Sequence, residues 1–155
     1  MWIGERARHA HPEASLLAPA VTIALPIADR QRSYAFYHDG LGFSAPGEPD
    51  KDGLPEPLRL TLGDSIRVML IPRVGFGWVL GKRKRAPTGQ SECIISLALP
   101  ASSDVDDLIA RAAAAGAEII RQPGEQSWGY DGAFADPDGH VWHVAVAGQF
   151  LATWP

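Results

Sequence analysis

The sequence predicts an α+β fold made of two successive β-α-β-β-β modules, and three observations predict it. Two short β-branched apolar runs, VTIALPIA from Val21 and CIISLALP from Cys93, are each followed by a stretch of helical character that stops at glycine. Landmarks recur at a constant spacing: Leu25-Pro26 against Leu99-Pro100, Gly42 against Gly116, and Asp64 before SIRVMLI against Asp138 before GHVWHVAV each lie 74 residues apart. A period this long, seen only twice, marks duplicated modules rather than a stacked solenoid.

The first module spans 21–72. It opens with a strand at 21–27, Asp29 caps a helix over 29–40, and strands follow near 42–46, 57–62 and 66–72. The second spans 93–147, with a strand at 93–99, a helix at 103–115 and strands near 117–121, 132–135 and 141–147. Its helix is capped by Ser102 or Ser103, carries Val105, Leu108, Ile109 and Ala112 at i, i+3, i+4, i+7, and ends at Gly116. Residues 73–92 show no periodicity and read as a long inter-module loop, residues 1–20 as an arm, and 148–155 as a tail.

Composition sets the outer limits. A chain of 155 residues at 46% hydrophobic content can bury a core of its own, so disorder is excluded. Fourteen basic residues against eighteen acidic ones give a net charge of -4, which argues against nucleic acid or an anionic membrane as partner. The one basic cluster, Lys82 to Arg85, reads as a solvated loop. A single cysteine, Cys93, excludes an intramolecular disulfide and a cysteine-rich zinc site. No apolar run reaches the ~20 residues of a membrane-spanning helix. Although Arg6 and Arg8 precede an apolar stretch, Pro19 interrupts it and the repeat claims 21–27 as a strand, so a cytoplasmic protein is expected.

The stretches DRQRSYAFYHDGLGF in the first module, and VDDLIARAAAAGAEI with FADPDGHVWHVA in the second, resemble the vicinal oxygen chelate superfamily, which includes glyoxalase I, extradiol dioxygenases and bleomycin resistance proteins. The resemblance covers 21–147. It implies that each module forms a curved mixed sheet, that the two sheets face one another across a ligand-holding cup, and that the protein is a homodimer. The superfamily's metal enzymes place His or Glu on the first and last strand of each module. Those slots fall here at Thr22, at Met69, at Ile94 or Ser96, and at His143. One imidazole is too few donors for a divalent ion, which needs about three, so no cofactor is expected. The other histidines do not add to it. His9 and His11 lie in the arm, His38 on a helix surface among tyrosines, and His140 in a hairpin. Asp136 and Asp138, in Asp-Pro-Asp-Gly, suit a type I turn.

Strand alternation sorts the faces. If His143 points into the cup, Val141 and Ala145 do too, and Thr22, Ala24, Arg67, Met69, Ile71 and Ser96 share that face with Arg59 and Thr61. Two readings of Arg59 and Arg67 stay open: pairing with acids at the sheet rim, or holding an anionic group with a guanidinium fork. His143 is either a satisfied buried imidazole or a proton carrier. Trp128 and Tyr130, in QSWGYDG, line the mouth of the cup or pack in a core or dimer interface, and GFGW at 75–78 closes the other side. The expected ligand is a small, partly apolar and anionic molecule. The expected role is binding, or a modest proton transfer through His143. The alternatives are a metal-dependent lyase or isomerase like glyoxalase I, a dioxygenase, and a drug-sequestering resistance protein, whose cationic drug Arg59 and Arg67 would oppose.

Overall fold

The computed structural model describes residues 20–149; residues 1–19 of the expected arm, with His9 and His11, and the tail beyond 149 lie outside the described residues. The first module opens with β1 (Val21–Ile27). Asp29 caps α1 (Arg30–Tyr34) by accepting the Arg32 N–H at 2.7 Å, and the helix widens into a π-helical turn over Ala35–Gly40. In that turn the Leu41 N–H reaches back to the Phe36 carbonyl, which brings both Phe36 and Tyr37 into the core. β2 (Arg59–Leu62) and β3 (Ile66–Pro72) complete a three-stranded sheet of order β1-β3-β2, with β1 parallel to β3.

The second module holds β4 (Ile94–Leu99), α3 (Ser102–Ala114), β5 (Glu118–Gln126), β6 (Gly129–Ala135) and β7 (Val141–Val146), in a four-stranded sheet ordered β4-β7-β6-β5. Between the modules runs α2 (Arg73–Leu80).

Several expectations are corrected here. The strand expected at 42–46 is reduced to one bridge between Ser44 and Thr61, because Pro46 and Pro49 leave the segment without the donors a ladder needs. The stretch 73–92 is not loop throughout: 73–80 is helical, and its two glycines, weak helix formers, hid the pattern; Gly75 lets the helix lie close to β3, where a Cβ would stand 3.2 Å from Ile71 Cγ2. Neither serine caps α3. Ala101 is the cap residue, and Asp104 accepts its N–H at 3.0 Å. β5 and β6 run well past the expected 117–121 and 132–135 and join in a tight hairpin at Ser127-Trp128.

One hydrophobic core unites the modules. Leu25, Ile27, Val68 and Leu70 enter it from the first sheet, and Ile95, Phe134, Trp142 and Val144 from the second. Phe36, Tyr37, Val105, Leu108 and Ile109 come from the helical segments. Where the π-helical turn crosses the end of α3, a Cβ on Gly40 would lie 2.6 Å from Ala115 Cβ, so this crossing requires glycine.

The turn Asp136–His140 clasps the two modules. Burial, reinforced by the Asp136 carboxylate, pushes the Tyr37 phenol well above its ordinary value. Tyr37 therefore donates to Asp136, in a short bond, and accepts from the Trp142 indole at 3.0 Å. Asp136 also accepts the Asp138 and His140 N–H groups. Asp138 in turn accepts the Ala28 N–H at 2.8 Å and Arg32 at 3.0 Å, while His140 Nε2 donates to the Pro26 carbonyl at 2.7 Å. Turn geometry accounts for half of what these two aspartates do. The other half is to tie the second module to the first.

Candidate functional site

The faces turned away from the core carry the polar residues that alternation predicts. In the first sheet Thr22, Arg67 and Thr61 stand side by side, as do Ala24, Met69 and Arg59 in the next row. In the second sheet Ser96, His143, Ala133 and Arg121 form one row across all four strands. The ladder also decides between the two candidates on β4. Thr22 sits beside Arg67 as Ile94 sits beside Val141, so Ile94 is the counterpart of Thr22, but Ser96 is the residue that stands next to His143.

His143 is 6% exposed and both of its ring nitrogens are engaged. Nδ1 lies 3.3 Å from Ser96 Oγ and Nε2 lies 2.8 Å from Asp131 Oδ2. Asp131 is fully buried and accepts three further bonds: Arg121 donates through Nε at 3.0 Å and through its terminal nitrogen at 2.9 Å, and the Trp128 indole donates at 2.8 Å. Burial alone would raise this carboxyl, but the Trp128 indole, the His143 ring and the Arg121 guanidinium together hold it below its ordinary value. The Arg121 guanidinium also stands 5.9 Å from the centroid of Trp128, within cation–π range.

Asp131 is the functional residue that the sequence reading missed. The signal was present: once β6 is carried back to Gly129, alternation puts Asp131 on the same face as Ala133 and His143. The same alternation corrects Tyr130. Its ring turns to the helical side, packs against the core and donates to Asp106 of α3 at 2.6 Å, a bond that raises the phenol above its ordinary value. It lies on the opposite face from His143. Trp128, by contrast, does reach the His143 cluster.

Arg59 and Arg67 are half-buried on the first sheet's polar face, and neither has an acidic partner among the described residues. The rim-pairing reading therefore finds no support there. His38 is half-exposed, stacks on Tyr34 at 4.6 Å and bonds Asp39, away from this region. α2 lies over the Ile71 end of the face, as GFGW suggested, although Trp78 itself points outward and is 84% exposed. Under α2 and the basic loop is a cavity of about 240 Å³, whose wall includes Pro26, Phe76, Leu80, Lys84, Arg85 and Val141. Among the described residues no three His, Cys, Asp or Glu side chains converge as a metal site would require, and no helix is long and apolar enough to cross a membrane.

A profile of the Glyoxalase/Bleomycin resistance protein/Dioxygenase superfamily matches residues 20–144. No functionally curated protein matches the chain. Among solved structures it is similar to the hypothetical protein SA1046 from S. aureus (26% identity, TM-score 0.72, covering 84% of this chain and 95% of that one). It is also similar to a glyoxalase-related enzyme from Fulvimarina pelagi (24% identity, TM-score 0.70, covering 90% and 92%). An antibiotic binding protein from Streptomyces sp. CB03234 shares the fold at 20% identity and a TM-score of 0.57, covering 84% of this chain and 97% of that one.

Proposed function

The chain belongs to the glyoxalase/bleomycin resistance protein/dioxygenase superfamily, and from that premise we propose that it binds a small, anionic and partly apolar molecule on its polar sheet faces without a divalent metal, as a cytoplasmic homodimer. The observation that carries this reading is the pair Arg59 and Arg67, two half-buried guanidinium groups on one face with no acid paired to them among the described residues. A guanidinium fork fits a carboxylate with two parallel bonds, and such charge-assisted bonds contribute about 1.5–3 kcal/mol each. The cavity under α2 is a separate feature: neither arginine lines it, and its wall sets Lys84 and Arg85 beside Glu92 and Asp138.

The donor set speaks against a resident metal. Of the slots that hold ligands in the superfamily's metal enzymes, Thr22, Met69 and Ile94 offer no imidazole or carboxylate, and the two nitrogens of His143 already face Ser96 and Asp131. The carboxylate beside His143, Asp131, is paired with Arg121, whose guanidinium would repel a cation. A homodimer is supported by apolar side chains left in the open, notably Ile94 at 62% and Trp78 at 84% exposure.

The test is a thermal-shift and calorimetric comparison of 3-phenylpropionate with its neutral amide. The carboxylate should bind and the amide should bind at least ~10-fold more weakly, a gap that Arg67→Ala abolishes. Equal binding of the two would refute the anionic reading. Drug sequestration of the cationic kind requires the opposite ranking.

A further inference from the structure

Ser96, His143 and Asp131 sit on one face of three adjacent strands, β4, β7 and β6. Asp131 is a fully buried carboxylate with no proton to give, so the bond at 2.8 Å requires a hydrogen on His143 Nε2. In the neutral ring the other nitrogen, Nδ1, then carries the lone pair, and it faces the Ser96 hydroxyl at 3.3 Å. The hydroxyl is therefore the donor. Ser96 is itself exposed, whereas its base and the group that orients the base are withdrawn from water.

The strand supplies one further part. β4 is the edge of its sheet, and the Leu99 carbonyl accepts the Ala147 N–H at 2.7 Å, so the odd-numbered residues of β4 direct their backbone groups toward β7. The Ser96 N–H consequently points to the edge of the strand that no strand among the described residues pairs with. A backbone donor next to a nucleophilic serine is what an oxyanion requires.

We propose that Ser96 is a nucleophile, with His143 as its base and Asp131 as the residue that positions the base, and that it accepts acyl groups from small esters. Ser96 Oγ attacks the ester carbonyl carbon while its proton passes to His143 Nδ1, and the carbonyl electron pair moves onto oxygen. Collapse of that adduct breaks the ester C–O bond, and the departing alkoxide takes the proton from Nδ1. Water then repeats the sequence, releasing the acid and restoring Ser96, so no co-reactant beyond water is needed. The two ring nitrogens exchange the roles they have in serine proteases, and the constellation is defined by geometry and roles rather than by atom names. This inference rests on the metal-free reading of the His143 face, since a cation on Nδ1 would occupy the lone pair that serves as base.

The test incubates the full chain with a fluorophosphonate probe and locates any adduct by mass spectrometry. A single adduct on Ser96 is expected, absent in Ser96→Ala and formed at least ~100-fold more slowly in His143→Gln, the size of effect a positioned base supplies. Asp131→Asn should slow labelling and move the ring proton to Nδ1 in 15N spectra, a tautomer change that a purely structural aspartate would not cause. No adduct on the native chain overturns the proposal, and so does an adduct whose rate ignores His143→Gln. The response of the native chain to 3-phenylpropionate, read beside the labelling, separates a failure here from a failure of the binding reading.

Discussion

Replacing Asp131 with alanine isolates the energetics of the cluster around His143. The substitution removes a fully buried carboxylate and leaves Arg121, the Trp128 indole and His143 without their acceptor. Breaking a buried, hydrogen-bonded charge pair from one side costs about 3–5 kcal/mol. Two of the three partners soften that cost, because the Arg121 side chain is 39% exposed and Trp128 is 38% exposed, and both can turn to water. His143, with 8% of its side chain exposed, cannot. A loss near the lower limit, about 3 kcal/mol, is the result expected for Asp131→Ala. Asp131→Asn keeps the volume and one acceptor oxygen and should lose about half as much.

Urea unfolding followed by tryptophan fluorescence reads this directly, provided the slope with denaturant stays constant. At about 3 °C per kcal/mol for a domain of this size, the melting temperature should fall by about 9 °C. A double-mutant cycle with His143→Gln should return a coupling of about 1 kcal/mol or more. A loss under about 1 kcal/mol for Asp131→Ala would refute the reasoning, because it would mean that the carboxylate is not the buried centre of the cluster.

Two other outcomes follow from the clasp and the helix crossing. Tyr37 has a folded-state value above its unfolded one, so its contribution is complete below pH 10 and is lost as pH rises toward the folded value. In pH-dependent urea titrations above pH 10, Tyr37→Phe should flatten the decline by up to about 1.4 kcal/mol per pH unit, the share of one proton. Gly40→Ala places a methyl 2.6 Å from Ala115 Cβ and should cost about 1–3 kcal/mol, of which Ala115→Gly in the same chain recovers most, as read by the unfolding midpoint.

Most of the architecture was legible in the residues because period and alternation are local properties. The spacing of 74 holds on β3 and β7, where Arg67 and Val141 occupy matching ladder positions, but the opening strands match at 72, Thr22 against Ile94. An even difference leaves every side chain on its expected face, which is why the face assignments survive a gap that the count alone did not reveal. What the sequence concealed was of another kind. α2 lacked a periodic signature because two of its eight residues are glycine, a weak helix former, and of these Gly75 serves close approach to the sheet. Asp131 was hidden by a strand boundary read three residues late, an error within the usual uncertainty of such boundaries yet enough to move a buried carboxylate into a turn.

That boundary matters because β6, β7 and their turn carry three buried aspartates with separate work. Asp136 and Asp138 close the turn and bind Tyr37, Arg32 and the Ala28 N–H, fixing one end of the hairpin to the first module. Asp131, five residues before Asp136, is held by residues of its own sheet and by the β5–β6 turn. The His143 ring therefore takes its orientation from within the second sheet, while the position of that sheet relative to Arg59 and Arg67 is set by the clasp. Composition cannot distinguish these acids from the solvated ones that give the chain its net charge. Their roles come from which face of a strand, or which position of a turn, each side chain is given.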